Sequence, residues 1–175
     1  RTLFPYTTLF RSRENRELVG QYAQGRTVLN AFCYTGGFSI YALGAGAKRV
    51  DSLDSSSKAM YLTERHVALN FGEDCPRHRS VTEDAFDYLE QMPQGEYDLI
   101  ILDPPAFAKH RKVLRNALMG YRKINGIAIK KAAPGSIIFT FSCSQAVSKE
   151  EFRLAVFTAA ASSGRRVRIL HQLTQ

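Results

Sequence analysis

Apolar residues along this chain follow two alternating rhythms. Short strand-like runs occur at 28–31, 48–53, 79–82, 97–102, 136–141 and 166–173, with the apolar character strongest at 28–31, 97–102 and 136–141. Between them, residues 13–23, 38–43, 57–70, 85–91, 112–133 and 148–163 carry apolar positions at helical spacing. The run at 97–102 (Tyr97-Asp98-Leu99-Ile100-Ile101-Leu102) is the most continuous, as befits a strand covered on both faces. Punctuation agrees with these boundaries. Gly36-Gly37, Pro104-Pro105 and Pro134-Gly135 fall where runs end, and Ser148 with Glu151 spells a capping box. Strict alternation of strand and helix predicts an α/β fold with a doubly wound, mostly parallel sheet. Ligands of such sheets bind beyond the carboxyl ends of the strands.

The first twelve residues break the pattern. Thr2-Leu3-Phe4 returns as Thr8-Leu9-Phe10 around Pro5-Tyr6-Thr7, without acidic residues and without helical or strand continuation. The stretch resembles a translated sequencing adapter, so 1–12 is set apart and 13–175 is expected to be one domain. The formal charge of the whole chain is +8. With Arg1 and Arg11 set aside, 22 basic residues still face 16 acidic ones, a net of +6. That bias fits an acidic partner such as nucleic acid. The cysteines Cys33, Cys75 and Cys143 form no Cys-x-x-Cys and have no histidine at zinc spacing, which argues against a disulfide framework or a metal site. No apolar run reaches membrane-spanning length, no signal peptide is visible, and a cytoplasmic setting is expected.

Candidate chemistry lies where strands end. Asn30-Ala31-Phe32-Cys33-Tyr34-Thr35-Gly36-Gly37 leads from strand through a tight turn into a helix. Such a turn aims backbone N–H groups at one point and lets a ligand approach the main chain. Asp54, about 20 residues past the glycines, ends the next strand, where an acidic residue commonly takes ribose hydroxyls. It competes with a plain helix-cap reading, for which residues 55–57 are also suited. Asp84 follows the third strand, where a plain helix cap is again one reading. Asp103-Pro104-Pro105 ends the fourth strand, and Ser142-Cys143-Ser144 ends the fifth.

Taken in order, 30–39, Asp54-Ser55-Ser56, 103–109 (Asp-Pro-Pro-Ala-Phe-Ala-Lys), 120–125 (Gly-Tyr-Arg-Lys-Ile-Asn) and 140–144 (Thr-Phe-Ser-Cys-Ser) resemble the class I S-adenosylmethionine-dependent methyltransferases. Among these they are most similar to the bacterial family that methylates carbon 5 of cytosine in large-subunit ribosomal RNA. The resemblance covers nearly all of 13–175 and implies a Rossmann-like fold with S-adenosylmethionine as cofactor and RNA as partner. It places Asn30, Phe32, Tyr34, Thr35, Gly36 and Gly37 at the amino-acid part of the cofactor. Asp54 and Ser55 fall at its ribose, Asp84 at its adenine edge, and Asp103 and Pro104 also beside it. Cys143 becomes the nucleophile and Asp103 the group that holds the cytosine edge. A thiolate is required because C5 is a poor nucleophile until C6 carries an adduct. Pro105, Phe107, Lys109, Arg111, Lys112 and Tyr121 are the expected substrate contacts, with Arg115, Arg122 and Lys123 further along the same basic stretch. The target base must be unpaired or extruded to reach such a pocket.

The same resemblance implies an N-terminal RNA-binding domain and a last antiparallel strand that this sequence does not contain. The chain is therefore expected to bind RNA weakly and to be less stable than a complete domain. It also leaves Arg13 and Arg16 without an assigned role. Three rival readings stay open. An exocyclic-amine methyltransferase also uses an Asp-Pro-Pro turn, but stacks the base on an aromatic directly after it, where Ala106 stands here. A nicotinamide oxidoreductase lacks its Gly-x-Gly-x-x-Gly. A cofactor- or RNA-binding remnant without turnover would need no nucleophile.

Overall fold

A computed structural model describes residues 6–108 and 110–173, with only the backbone at 6–12 and at Arg111. Five strands form one sheet: β1 (Thr27–Ala31), β2 (Arg49–Asp54), β3 (His78–Thr82), β4 (Leu99–Leu102) and β5 (Ile137–Thr140). Their order is β3-β2-β1-β4-β5, parallel throughout. The chain order turns back between β1 and β4, which makes that crevice the switch point of the sheet.

Side-chain alternation explains why β1 and β4 are apolar on both faces, with Thr27 and Asn30 their two polar residues. Val28, Leu99 and Ile101 point into one core with Val19 and Ala23 of α1 (Tyr6–Ala23), Ala42 and Leu43 of α2 (Gly37–Gly44), and Val67 of α3 (Ser57–Phe71). Leu29, Ala31, Ile100 and Leu102 point the other way, onto Ala85 and Leu89 of α4 (Ala85–Gln91) and Ile124 and Ala128 of α5 (Leu114–Lys131). Helices thus cover both faces, as the doubly wound reading requires. A last helix, α6 (Lys149–Ser162), packs on α5 through Ala155 and Ala159. Its capping box forms as the sequence spells it: Ser148 Oγ accepts from the Glu151 N–H at 3.1 Å, and Glu151 accepts from the Ser148 N–H at 2.8 Å.

Two expectations change. Helix α1 begins at Tyr6 instead of Arg13, so its backbone runs through part of the stretch set apart as foreign; residues 1–5 lie outside the described residues. Nothing between Tyr6 and Arg13 is a glycine or proline that would interrupt a helix. The second change is the run at 166–173, which forms no strand. A strand needs a ladder partner, and this segment is held by side chains instead. Arg165 donates to the carbonyls of Ile129, Lys130 and Ala132 at the end of α5. Further on, His171 Nε2 meets Tyr22 Oη at 2.7 Å. Among the described residues no helix is long and apolar enough to cross a membrane.

Candidate functional site

Strand register fixes where the site forms. Ala31 lies opposite both Leu53 and Leu102, and Leu102 opposite Thr140. The four strands therefore end level, about 4.8 Å apart. The residues they release (Phe32, Asp54, Asp103 and the segment leading to Cys143) emerge along one edge.

The β1–α2 turn is wound tightly. Phe32 and Tyr34 have φ of 59° and 51°, and Gly36 has φ of 78°. Left-handed backbone at two aromatic residues is strained and persists only where surroundings hold it. Those holders are identifiable. Asp54 Oδ2 accepts from the Tyr34 N–H at 3.0 Å, Thr63 Oγ1 donates to the Tyr34 carbonyl at 3.0 Å, and His66 Nδ1 contacts the Thr35 carbonyl at 2.8 Å. Underneath, a buried chain runs from Asn30 Nδ2 to Ser39 Oγ, on to Ser52 Oγ and then to His78 Nε2, with contacts of 2.8, 2.7 and 2.8 Å. Asn30 is thus a buried support for the turn. Tyr34 is 72% exposed, and Cys33 is buried among Met60 and Thr63. Burial pushes the Cys33 thiol up to about 12, so it is an inert packing residue.

Asp54 resolves one of the competing readings. The cap of α3 is Ser56, whose Oγ accepts from the Ala59 N–H at 3.2 Å. Asp54 is left to bind the turn and, through Oδ1, the Ser56 N–H at 2.9 Å. Two of roughly four carboxylate acceptor positions are used, so acceptors remain toward the rim. Ser55 is exposed beside it. At Asp84 the cap reading holds: its Oδ1 accepts from Phe86 and Asp87 N–H groups at 2.8 and 3.2 Å, opening α4. The side chain is exposed and keeps a second oxygen.

Asp103 is half-buried, Pro104 buried and Pro105 exposed. Cys143 is exposed, and its Sγ donates to Asp103 Oδ1 at 3.6 Å. The thiol and the carboxylate expected to act together are therefore adjacent, on the same edge as the turn.

Several expected substrate contacts lie elsewhere. Tyr121 has no exposed surface, so the phenol supports the site from below. Phe107 packs its ring on Tyr121 at 4.7 Å and against Gly120, occupied by the core instead of a base. Lys123 Nζ pairs with Glu90 at 2.9 Å and Arg122 donates to Ser162 at 3.3 Å, which ties both to neighbouring helices. Lys112 and Arg115 stay exposed. Lys109 lies outside the described residues.

Sequence reasoning passed over Thr63 and His66, which share one face of α3 at i, i+3 spacing and grip the turn. It also left Arg16 unassigned. A Cβ on Gly37 would sit 3.0 Å from the Arg16 guanidinium, which places that cation against the first residue of α2. A helix start and a guanidinium together suit a carboxylate-bearing ligand. The donor set matches S-adenosylmethionine, whose amino-acid end is anionic at its carboxylate and whose ribose needs acceptors such as Asp54.

A family model described as S-adenosylmethionine-dependent methyltransferase matches residues 5–172. The chain belongs to that family.

Relatives of this methyltransferase include a ribosomal RNA large subunit methyltransferase I from Tolumonas auensis, 43% identical over 165 residues. That alignment covers 93% of this chain and 41% of the relative. A ribosomal RNA large subunit methyltransferase from Deinococcus radiodurans is 44% identical over 163 residues, 90% of this chain and 39% of its own length. The chain thus spans about two fifths of the length of these relatives. Among solved structures, a methyltransferase determined in complex with SAH superposes with a TM-score of 0.77 at 26% identity, covering 94% of this chain and 44% of that one. Among the described residues no group of side chains is arranged to hold a metal ion.

Proposed function

We propose that this methyltransferase domain forms 5-methylcytosine in large-subunit ribosomal RNA through a covalent Cys143 adduct, working in the cytoplasm. One observation carries the reading: an exposed thiol in contact with the Asp103 carboxylate, on the edge that also holds the glycine turn. Gly36, Gly37, Phe32, Tyr34, Thr35 and Arg16 hold the amino-acid end of the cofactor. Asp54 and Ser55 take its ribose, Asp84 its adenine edge, and Asp103 with Pro104 flank the reacting side. S-adenosylmethionine supplies an electrophilic methyl group to carbon 5.

The chain's own residues make that carbon reactive. Cys143 gives its proton to Asp103 and its sulfur electron pair to C6 of the cytosine. Asp103 passes the proton to N3, so that the pair displaced from the C5–C6 double bond is stabilised as an enamine. After C5 is methylated, a solvent base takes its proton, the freed pair restores the C5–C6 double bond and expels the thiolate, and N3 gives up the proton it received. Pro104 and Pro105 fix the carboxylate by leaving the turn few conformations. Pro105, Lys112 and the neighbouring basic residues Lys109 and Arg111 meet the RNA beside the extruded base.

Exocyclic-amine methylation is disfavoured by the placement of Phe107, whose ring packs inward on Tyr121. The deciding experiment incubates the protein with labelled cofactor and unmodified ribosomal RNA and identifies the labelled nucleoside by mass spectrometry. 5-Methylcytosine is expected, and it should vanish in Cys143→Ala with cofactor affinity intact. An N-methylated nucleoside, or an active Cys143→Ala, contradicts the proposal.

A further inference from the structure

The buried phenol of Tyr121 touches neither cofactor edge nor surface, yet its hydroxyl lies between the two serines that flank Cys143. Ser142 Oγ donates to Tyr121 Oη at 3.0 Å. The same phenol oxygen shares a hydrogen bond with Ser144 Oγ, also at 3.0 Å. Ser144 Oγ in turn accepts from the Ala108 N–H at 3.2 Å, and Ser142 Oγ accepts from the Ser144 N–H at 3.4 Å. A closed circuit therefore joins the thiol-bearing segment 142–144 to the segment 103–108 that carries Asp103.

The hub is rigid for a visible reason. The Tyr121 ring is completely buried, 4.7 Å from the Phe107 ring and 5.1 Å from that of Phe152. Asn125 Nδ2 donates to its carbonyl at 2.8 Å from the next turn of α5. Satisfied polar circuits in a dry interior specify one geometry, because any displacement leaves a buried hydroxyl without its partner. Cys143 itself reaches Asp103 over 3.6 Å through an exposed thiol, a contact too weak to hold two loops in place.

We propose that Tyr121 is a positioning residue: its hydroxyl, through Ser142 and Ser144, sets Cys143 against Asp103. The inference rests on the reading of Cys143 as nucleophile, but its test does not require turnover.

The test is a double-mutant cycle on the whole chain, read by the rate at which iodoacetamide alkylates Cys143, followed by peptide mass spectrometry. Asp103→Asn is expected to change that rate several-fold when Tyr121 is present and by less than twofold in Tyr121→Phe. Phenylalanine keeps the ring packing and removes only the hydroxyl, and S-adenosylmethionine affinity should stay within twofold of the parent. Ser142→Ala, which removes the donor to the phenol at a half-buried position, serves as a second variant and should weaken the coupling in the same direction. An equal effect of Asp103→Asn in both backgrounds, or none in either, overturns the proposal. Failure of the nucleophile reading is a separate result: Cys143→Ala would keep forming 5-methylcytosine whatever the alkylation cycle shows.

Discussion

At Gly36 the geometry allows one residue type. Its φ of 78° lies in the left-handed region, and an added Cβ would meet Thr63 Cγ2 at 2.6 Å. Gly36→Ala should weaken S-adenosylmethionine binding about 5- to 30-fold by calorimetry, since left-handed alanine costs about 1–2 kcal/mol. Adding Thr63→Ser removes the clashing methyl and keeps the hydroxyl, so the double variant should recover part of the loss. No recovery would show that the contact with Thr63 is unimportant. Asp54 makes a second residue-scale case. Its carboxylate grips both the turn and the start of α3, so Asp54→Ala should lower cofactor affinity by about 1–3 kcal/mol, the usual cost of stranding such donors. Residues of this kind were legible in the sequence because a glycine pair after an apolar run marks a tight turn, and an acid at a strand end is read as either a ligand group or a helix cap. Tyr121 was not. An aromatic residue beside Gly120 reads equally well as a surface platform or a core anchor, and only the packing of α5 on α6 decides.

Elements make their own predictions. Ser148→Ala breaks a formed capping box and should lower the melting temperature by an amount equivalent to about 1 kcal/mol. A larger ionic device lies under β2, away from the site. Asp51 is fully buried and accepts from Tyr97 Oη at 2.6 Å, with Arg79 at 2.7 Å and Arg49 at 3.2 Å. Burial and the bond to Asp51 hold the Tyr97 phenol well above the ordinary tyrosine range, so it stays a proton donor. Tyr97→Phe should cost about 1–3 kcal/mol in chemical denaturation, because a buried carboxylate loses a donor. At the end of the polar chain under the turn, burial holds His78 below its ordinary value of 6.5. The unfolded chain then binds more protons than the folded one as pH drops below 6.5. Stability should therefore be full above that value and decline on acidification toward pH 5, above the carboxylate range, with a shallower decline in His78→Gln. Strand and helix order was readable because β1 and β4 are apolar on both faces and helical spacing fills the segments between strands, whereas β3, with His78, Arg79 and Ser80, was legible only from its place between two helical segments. The run at 166–173 misled, since valine and isoleucine between arginines look like an edge strand whether or not a ladder partner is present.

Taken as a whole, the molecule turns a parallel sheet into a single working edge. Level strand ends bring the glycine turn, two acidic residues and a thiol from distant parts of the sequence into one rim, and that convergence was predictable from topology alone. The supporting layer was not, because Thr63, His66, Ser39 and Ser52 have no signature apart from their three-dimensional neighbours. The basic charge was visible in composition, but Lys123 and Arg122 are engaged by Glu90 and Ser162. On the proposed function, RNA affinity should fall steeply as salt rises, through exposed Lys112 and Arg115. The most direct measurement of the central claim uses RNA carrying 5-fluorocytosine, whose C5 fluorine cannot leave as a proton. With S-adenosylmethionine present, a denaturation-resistant protein–RNA adduct should form and map to the peptide containing Cys143. An adduct on another residue, or methylated RNA released with no adduct at all, would contradict it.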